Sequence, residues 1–319
     1  MNGYEALREH VAWIDLPGRG KIRVSGEDRV RFLHAMTTNH VEQLAPGDGQ
    51  YAFFLNSQGR ILADVYLFHL GESFLLDTEP ETAVKVFQHL DKYIIADDVT
   101  LADETAEWST VGIEGPDATA SLEALGAPAP ANDYGIALWG ARFVARAAAT
   151  GPIGFRIFAP AAERPELLPQ LAAAAIPEAD ADAARTVRLE HAKPRYGEEI
   201  TERYLTQETA QLHAVNFNKG CYLGQEIVER VRSRAQIHRR LAAVHIRSSV
   251  PPPPGTKLKV DGKDAGEIAS AAFSPALGEV VGLAYVRVEH EAARPEMWVE
   301  GAESHSAYLS EAGCQPAAG

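Results

Sequence analysis

Asn218-Lys219-Gly220-Cys221-Tyr222-Leu223-Gly224-Gln225-Glu226 sets an ammonium, two glycines, a thiol, a phenol and a carboxylate into consecutive positions. Gln225 to Val231 has helix-compatible spacing, so Cys221 is expected just ahead of a helix and beside Lys219. A helix N-terminus and a nearby ammonium both favour the thiolate, the nucleophilic and metal-binding form. A lone cysteine also serves as a small buried hydrophobe, and the residues alone leave both readings open. The stretch begins a basic window through Arg230 and Arg240 with a local net charge of +4, in a chain whose net charge is −14. Such a window suits an anionic tail or phosphate, and equally a solvated helix face.

Working outward, 319 residues exceed one hydrophobic core and predict several domains. With 46% apolar and 23% charged residues the chain has the composition of a folded globular protein. The polar N-terminus lacks the basic-then-apolar pattern of a secretory signal, and no apolar run reaches bilayer length. A cytoplasmic protein without membrane contact is expected. Cys221 and Cys314 have no CxxC neighbour and Cys314 lies in a Gly/Ala/Pro-rich tail, which argues against a structural disulfide or a self-sufficient metal site. The acidic charge argues against direct nucleic-acid binding.

Lys21 to Val24 alternates as a strand, Ser25-Gly26-Glu27-Asp28 breaks it, and Asp28 is placed to cap a helix through Leu33. The same order returns at Val111 to Asp117. Setting Gly26 on Gly115 also sets Asp28 on Asp117 and Leu33 on Leu122, an internal match that predicts two related α+β units. Tyr51–Leu55 and Ile61–Leu70 form an expected hairpin across Asn56-Ser57-Gln58-Gly59, and a helix is expected to begin at Glu79-Pro80. After the basic window, short strands separated by glycine and proline, with Pro251 to Pro254 as a rigid loop, predict a small β-barrel or sandwich. The expected division is an α+β unit over 1–110, a second over 111–240 and the barrel over 241–319, the first two free to interleave.

Glu190, which ends Arg188-Leu189-Glu190, is a carboxylate able to accept two parallel hydrogen bonds from an amidine-like heterocycle edge; a solvated glutamate or an ion pair is the plainer alternative. The eleven histidines show no His-x-x-x-His or similar spacing, and none is assigned to a metal.

Lys219 to Glu226 resembles the Lys-Gly-Cys-Tyr-x-Gly-Gln-Glu motif of the YgfZ-type folate-binding proteins, relatives of the glycine cleavage T-protein that act in iron–sulfur cluster assembly or repair. Arg188-Leu189-Glu190 with Tyr196-Gly197 is similar to the segment carrying the wider family's pterin-binding glutamate. Gly266 to Ser270, Ser274 to Gly278 and Gly282 to Arg287 resemble its C-terminal barrel. The resemblance implies a three-domain ring, two α+β domains and a β-barrel, around a central tetrahydrofolate cavity. Glu190 would pair with the pterin, Lys219 or Arg230 would meet the glutamate tail, Tyr222 and Gln225 would complete the folate site, and Cys221 would serve as thiolate ligand or redox centre.

The implied partners are iron–sulfur enzymes or cluster-assembly proteins, with tRNA modification entering through client enzymes. One cysteine cannot complete a four-ligand cluster set, so any cluster would be shared. An alignment places Val84 where aminomethyltransferases of the superfamily carry a catalytic aspartate, with Asp64 and Asp77 as possible stand-ins; valine cannot move a proton. Three functions are thus expected in order: a folate-binding accessory protein for iron–sulfur enzymes, a tetrahydrofolate-dependent aminomethyltransferase, and a folate-binding module in which Cys221 only packs.

Overall fold

The computed structural model describes residues 1–234 and 237–310; Cys314 lies outside the described residues. The first α+β unit is a five-stranded antiparallel sheet in the order Gly49–Leu55, Ile61–His69, Phe74–Thr78, Gly20–Ser25, Thr100–Asp103. Both faces of its central strands are buried, which is why these strands read as nearly continuous apolar runs. Ala52, Phe54, Ala63, Val65 and Leu67 pack under the helices Arg29–Met36 and Ala83–Tyr93. Tyr51, Phe53, Tyr66 and Phe68 point the other way, against Phe143 and Phe158 of the second unit. By the period-two rule Asp64 shares that second face.

The second unit is a six-stranded sheet in the order Glu178–Ala179, Ala12–Asp15, Trp108–Glu114, Gly154–Pro160, Arg142–Ala145, Ile136–Trp139. Its second strand, Ala12–Asp15, comes from the N-terminus, so the two units are interleaved in sequence. Helices Ala118–Ala124 and Arg164–Ala173 supply Leu122, Leu167 and Leu171 to its core.

The internal match is geometric. Gly26 and Gly115 have φ of 103° and 121°, which favours glycine, and a side chain at either would collide with a carbonyl, of Asp98 or of His10. The next aspartate donates its backbone N–H to that same carbonyl, Asp28 to Asp98 and Asp117 to His10. Leu33 and Leu122 are both fully buried. The expected side-chain cap by Asp28 is not formed: its Oδ2 instead accepts from the backbone N–H of Asp98, tying the helix start to the loop before the edge strand.

Six strands close the C-terminal barrel in the order Arg239–Ile246, Glu279–Arg287, Lys263–Ser274, Lys257–Val260, Met297–Val299, Ala302–Leu309. Its closure leaves no free edge. The proline run lies in the connection between the strands Arg239–Ile246 and Lys257–Val260. Glu199, fully buried, joins barrel to body: it accepts from both terminal nitrogens of Arg188, from the Arg195 backbone N–H and from Ser270. Tyr204 stacks on Tyr285 at 3.7 Å beside it. Among the described residues no helix is long and apolar enough to cross a membrane.

Candidate functional site

Where the two sheets face each other, the aromatic packing gives way to a cavity of about 480 Å³. Its floor comes from the middle of the first sheet, Tyr51, Asp64 and Tyr66. Arg156 enters from the second sheet, and Lys193, Arg195 and His213 from the segments that follow helix Ala181–Glu190. The segment Ala147 to Thr150 forms one wall, held by buried Glu114, which accepts from the backbone N–H groups of Ala149 and Thr150 and from the Thr150 hydroxyl. Among the described residues none of the barrel lines the cavity; the two α+β units and their connecting segments supply its lining.

Charge beneath the floor is tightly paired. Asp77, fully buried at the end of strand Phe74–Thr78, accepts from Arg19 Nε at 2.9 and 3.1 Å and from Arg156 at 2.5 Å, with Lys21 Nζ 3.6 Å away. Burial alone would raise the Asp77 carboxyl; Arg19, Lys21 and Arg156 bring it down to about 2. Glu79 takes Arg19 and Arg195. Asp64 is left with a hydrogen bond from the Tyr51 hydroxyl at 2.9 Å. Burial, reinforced by Glu79, raises its carboxyl to about 7, against the pull of Arg19 and the Tyr51 hydrogen bond. The site therefore holds one carboxyl that gains or loses its proton near neutrality, above an arginine layer that stays charged.

Two cavity-lining donors or acceptors, Arg156 Nε and His213 Nδ1, are buried without a hydrogen-bond partner. Burial, then Lys193, lower His213 to about 4, so it presents a neutral imidazole, stacked 5.3 Å from Tyr51. Arg156 lies over the Tyr66 ring at 4.1 Å. Orphaned polar atoms beside three tyrosines, Tyr51, Tyr66 and Tyr134, suit a flat ligand that is polar at its edge.

The six site residues expected from sequence lie outside this lining. Glu190 ends helix Ala181–Glu190 and is held by the Tyr4 hydroxyl at 2.5 Å and the Ser274 hydroxyl at 2.6 Å, with Arg8 Nε 2.9 Å from its other oxygen. Oε1 docks the N-terminal helix and a barrel turn, while Oε2 is buried beside Arg8 without an aligned hydrogen bond; in this arrangement Glu190 lies outside the cavity lining. Lys219 is buried and donates to the carbonyls of His34 (2.5 Å), Thr37 (2.6 Å) and Asn39 (2.9 Å), a complete set for an ammonium; it has no free donor for a glutamate tail. Burial lowers it to about 7, opposed by Glu42. Tyr222 packs in the core with Lys219 4.9 Å from its ring. Gln225 opens helix Gln225–Arg234, and Arg230 pairs with Glu226 on its exposed face. Cys221 is exposed in the loop before that helix, three residues short of Gly224 with its φ of 85°.

Val84 is corrected too. It lies 66% exposed on helix Ala83–Tyr93, away from the cavity, so its identity carries no information on catalysis. The cavity opens onto the strand Ile61–His69, which contributes the buried carboxyl of Asp64. Arg19, Arg156 and His213 were not anticipated; the legible signal was a charge set among apolar strand neighbours, as in Phe155-Arg156-Ile157.

The GCVT N-terminal domain matches residues 2–219, and the glycine cleavage T-protein C-terminal barrel domain matches residues 239–311. The chain belongs to the glycine cleavage T-protein family. An aminomethyltransferase of Rubrobacter xylanophilus is 31% identical over 300 residues, covering 90% of this chain and 79% of the relative. One from Deinococcus deserti is 28% identical over 291 residues, covering 89% and 79%. The crystal structure of the glycine cleavage system aminomethyltransferase T from Bartonella henselae superposes with a TM-score of 0.88 over 97% of this chain and 88% of that one; at 23% identity this likeness establishes the fold. These relatives set the family without separating a YgfZ-type branch from the aminomethyltransferases.

Proposed function

We propose that this protein binds tetrahydrofolate or a derivative in the cavity between its α+β units and transfers an aminomethyl-type one-carbon unit to it. The observation that carries the reading is Asp64, a buried carboxyl near half-ionisation at neutral pH on the cavity floor. Relatives named aminomethyltransferases over nine-tenths of the chain support the same class.

The residues present fit a reduced folate. Tyr51, Tyr66 and Tyr134 offer faces for a pterin, Arg156 Nε and His213 Nδ1 offer edge contacts without present partners, and Arg146, Arg185 and Lys193 offer charge for a glutamate tail. Tetrahydrofolate, when bound, supplies the amine nitrogens that take up the one-carbon unit. Asp64 holds or releases a proton at Oδ1 or Oδ2, Tyr51 fixes that carboxyl's orientation, and Asp77 keeps Arg19 and Arg156 in place without drawing Asp64 into an ion pair. Purified protein given an aminomethyl donor and tetrahydrofolate is expected to form methylenetetrahydrofolate with release of ammonia and the free carrier, and Asp64→Asn to lose that activity. Equal turnover by both proteins would remove Asp64 from the chemistry.

A second reading, the iron–sulfur accessory role, is favoured by the exposure of Cys221 within its motif. It expects Cys221→Ala to leave folate affinity intact while cluster-dependent enzymes in cells lose activity; unchanged activity in that strain would remove the thiol.

A further inference from the structure

Behind the first sheet, on the side of the Cys221 loop, three ligand-type side chains converge without an assigned role. His34 lies on helix Arg29–Met36, His40 precedes the single-turn helix Val41–Gln43, and Glu42 lies within that turn. One donor atom from each lies within 4.8 Å of the other two. The imidazole rings are 4.7 Å apart at 76°, and His34 Nδ1 is 3.8 Å from Glu42 Oε2. Nδ1 of His34 and Nδ1 of His40 are buried and have no hydrogen-bond partner, with His34 only 7% exposed. Buried imidazole nitrogens are ordinarily satisfied, so two orphans in neighbouring rings, one of them 3.8 Å from a carboxylate, point to something that binds them.

We propose that His34, His40 and Glu42 form a binding site for one divalent transition-metal ion, Zn²⁺ or Fe²⁺, beside the loop that carries Cys221. Two imidazoles and one carboxylate are a borderline-soft set that suits these ions and leaves a coordination position open. Glu42 is half exposed and can close the remaining distance to ligation, while the His34 side chain is buried. Lys219 fixes the turn through the carbonyls of His34, Thr37 and Asn39, and the His40 N–H donates to Asn39 Oδ1 at 2.9 Å. Burial and then Lys219 lower the His34 imidazolium, which keeps the ring in the unprotonated form a metal requires. A side chain at position 220 would begin 3.8 Å from His34 Nε2; glycine there leaves that flank clear, and Cys221 is the next residue.

The test uses the tag-free full chain, stripped with a chelator and titrated calorimetrically at neutral pH with Zn²⁺, and with Fe²⁺ under anaerobic conditions. One equivalent should bind with a dissociation constant of about a micromolar or tighter. His40→Gln and Glu42→Gln should each weaken it more than about ten-fold while leaving thermal melting of the stripped protein unchanged. Cys221→Ser should retain the site. The absence of saturable binding, wild-type affinity in the doubly substituted chain, or loss of binding in Cys221→Ser alone would each overturn the proposal.

Discussion

The Tyr51 hydroxyl donates to Asp64 Oδ2 at 2.9 Å from a neighbouring antiparallel strand, in which Phe53 is the register partner of Asp64. The sheet thus delivers an acid and the donor that steadies it to the same buried face. This costs stability, because an ionised carboxylate on that face has no cation of its own.

The sign of that cost is testable. The native carboxyl of Asp64 titrates near 7, above the 3.8 of an unperturbed aspartate, so between these values the native state holds a proton that the unfolded chain has released. The Asp64 contribution is therefore most favourable below about 4 and is lost as pH rises through about 7. Asp64→Asn should stabilise the protein at pH 8, by up to about 4 kcal/mol, and have little effect near pH 4. Denaturant melts at the two pH values check this; an equal shift at both would contradict it.

Tyr51→Phe removes a hydrogen bond that favours the ionised form of Asp64. The midpoint of any Asp64-dependent turnover should move to higher pH, by roughly one unit, with folate binding retained. A pH–rate profile of the variant decides it.

Glu190→Gln tests the reassigned carboxylate. It should weaken docking of the N-terminal helix Gly3–Glu9 and destabilise the protein by about 1–3 kcal/mol, because Tyr4, Ser274 and Arg8 lose a charged acceptor. Tetrahydrofolate affinity, measured by calorimetry, should stay within about two-fold of wild type, since the side chain lies outside the cavity lining. A large loss of affinity with unchanged stability would return Glu190 to the binding site.

Local chemistry was legible where it decided local structure. The strand, glycine, aspartate and helix order at Gly26 and Gly115 could be read because a positive φ and a carbonyl contact select the same residues twice. The barrel was legible from its turns. The site was not, because its members are brought together by the facing of two sheets: Asp64, Arg156 and His213 are far apart in sequence and none belongs to a local motif. The motif that is most conspicuous in sequence, Lys219 to Glu226, acts through buried contacts to a distant turn, which spacing alone does not reveal. The His34, His40 and Glu42 group escaped for a related reason, since the chain reverses between a helix and a single-turn helix and no fixed helical spacing results.

Lys219→Met would retain most of the apolar stem while removing the ammonium, and so isolates what the motif lysine does. Three carbonyls, of His34, Thr37 and Asn39, would lose their common donor in a buried setting. Destabilisation of about 2–4 kcal/mol is expected, from unsatisfied acceptors more than from lost packing. The effect should also reach the cavity, because the Asn39 side chain donates to the carbonyls of both Tyr51 and His213, each of which lines it. Folate affinity should therefore fall in Lys219→Met although Lys219 touches no part of the cavity, whereas Arg230→Met, on the exposed face of helix Gln225–Arg234, should change neither stability nor affinity measurably. If affinity fell in Arg230→Met and held in Lys219→Met, the direct tail contact expected from the sequence would be restored in place of this indirect route.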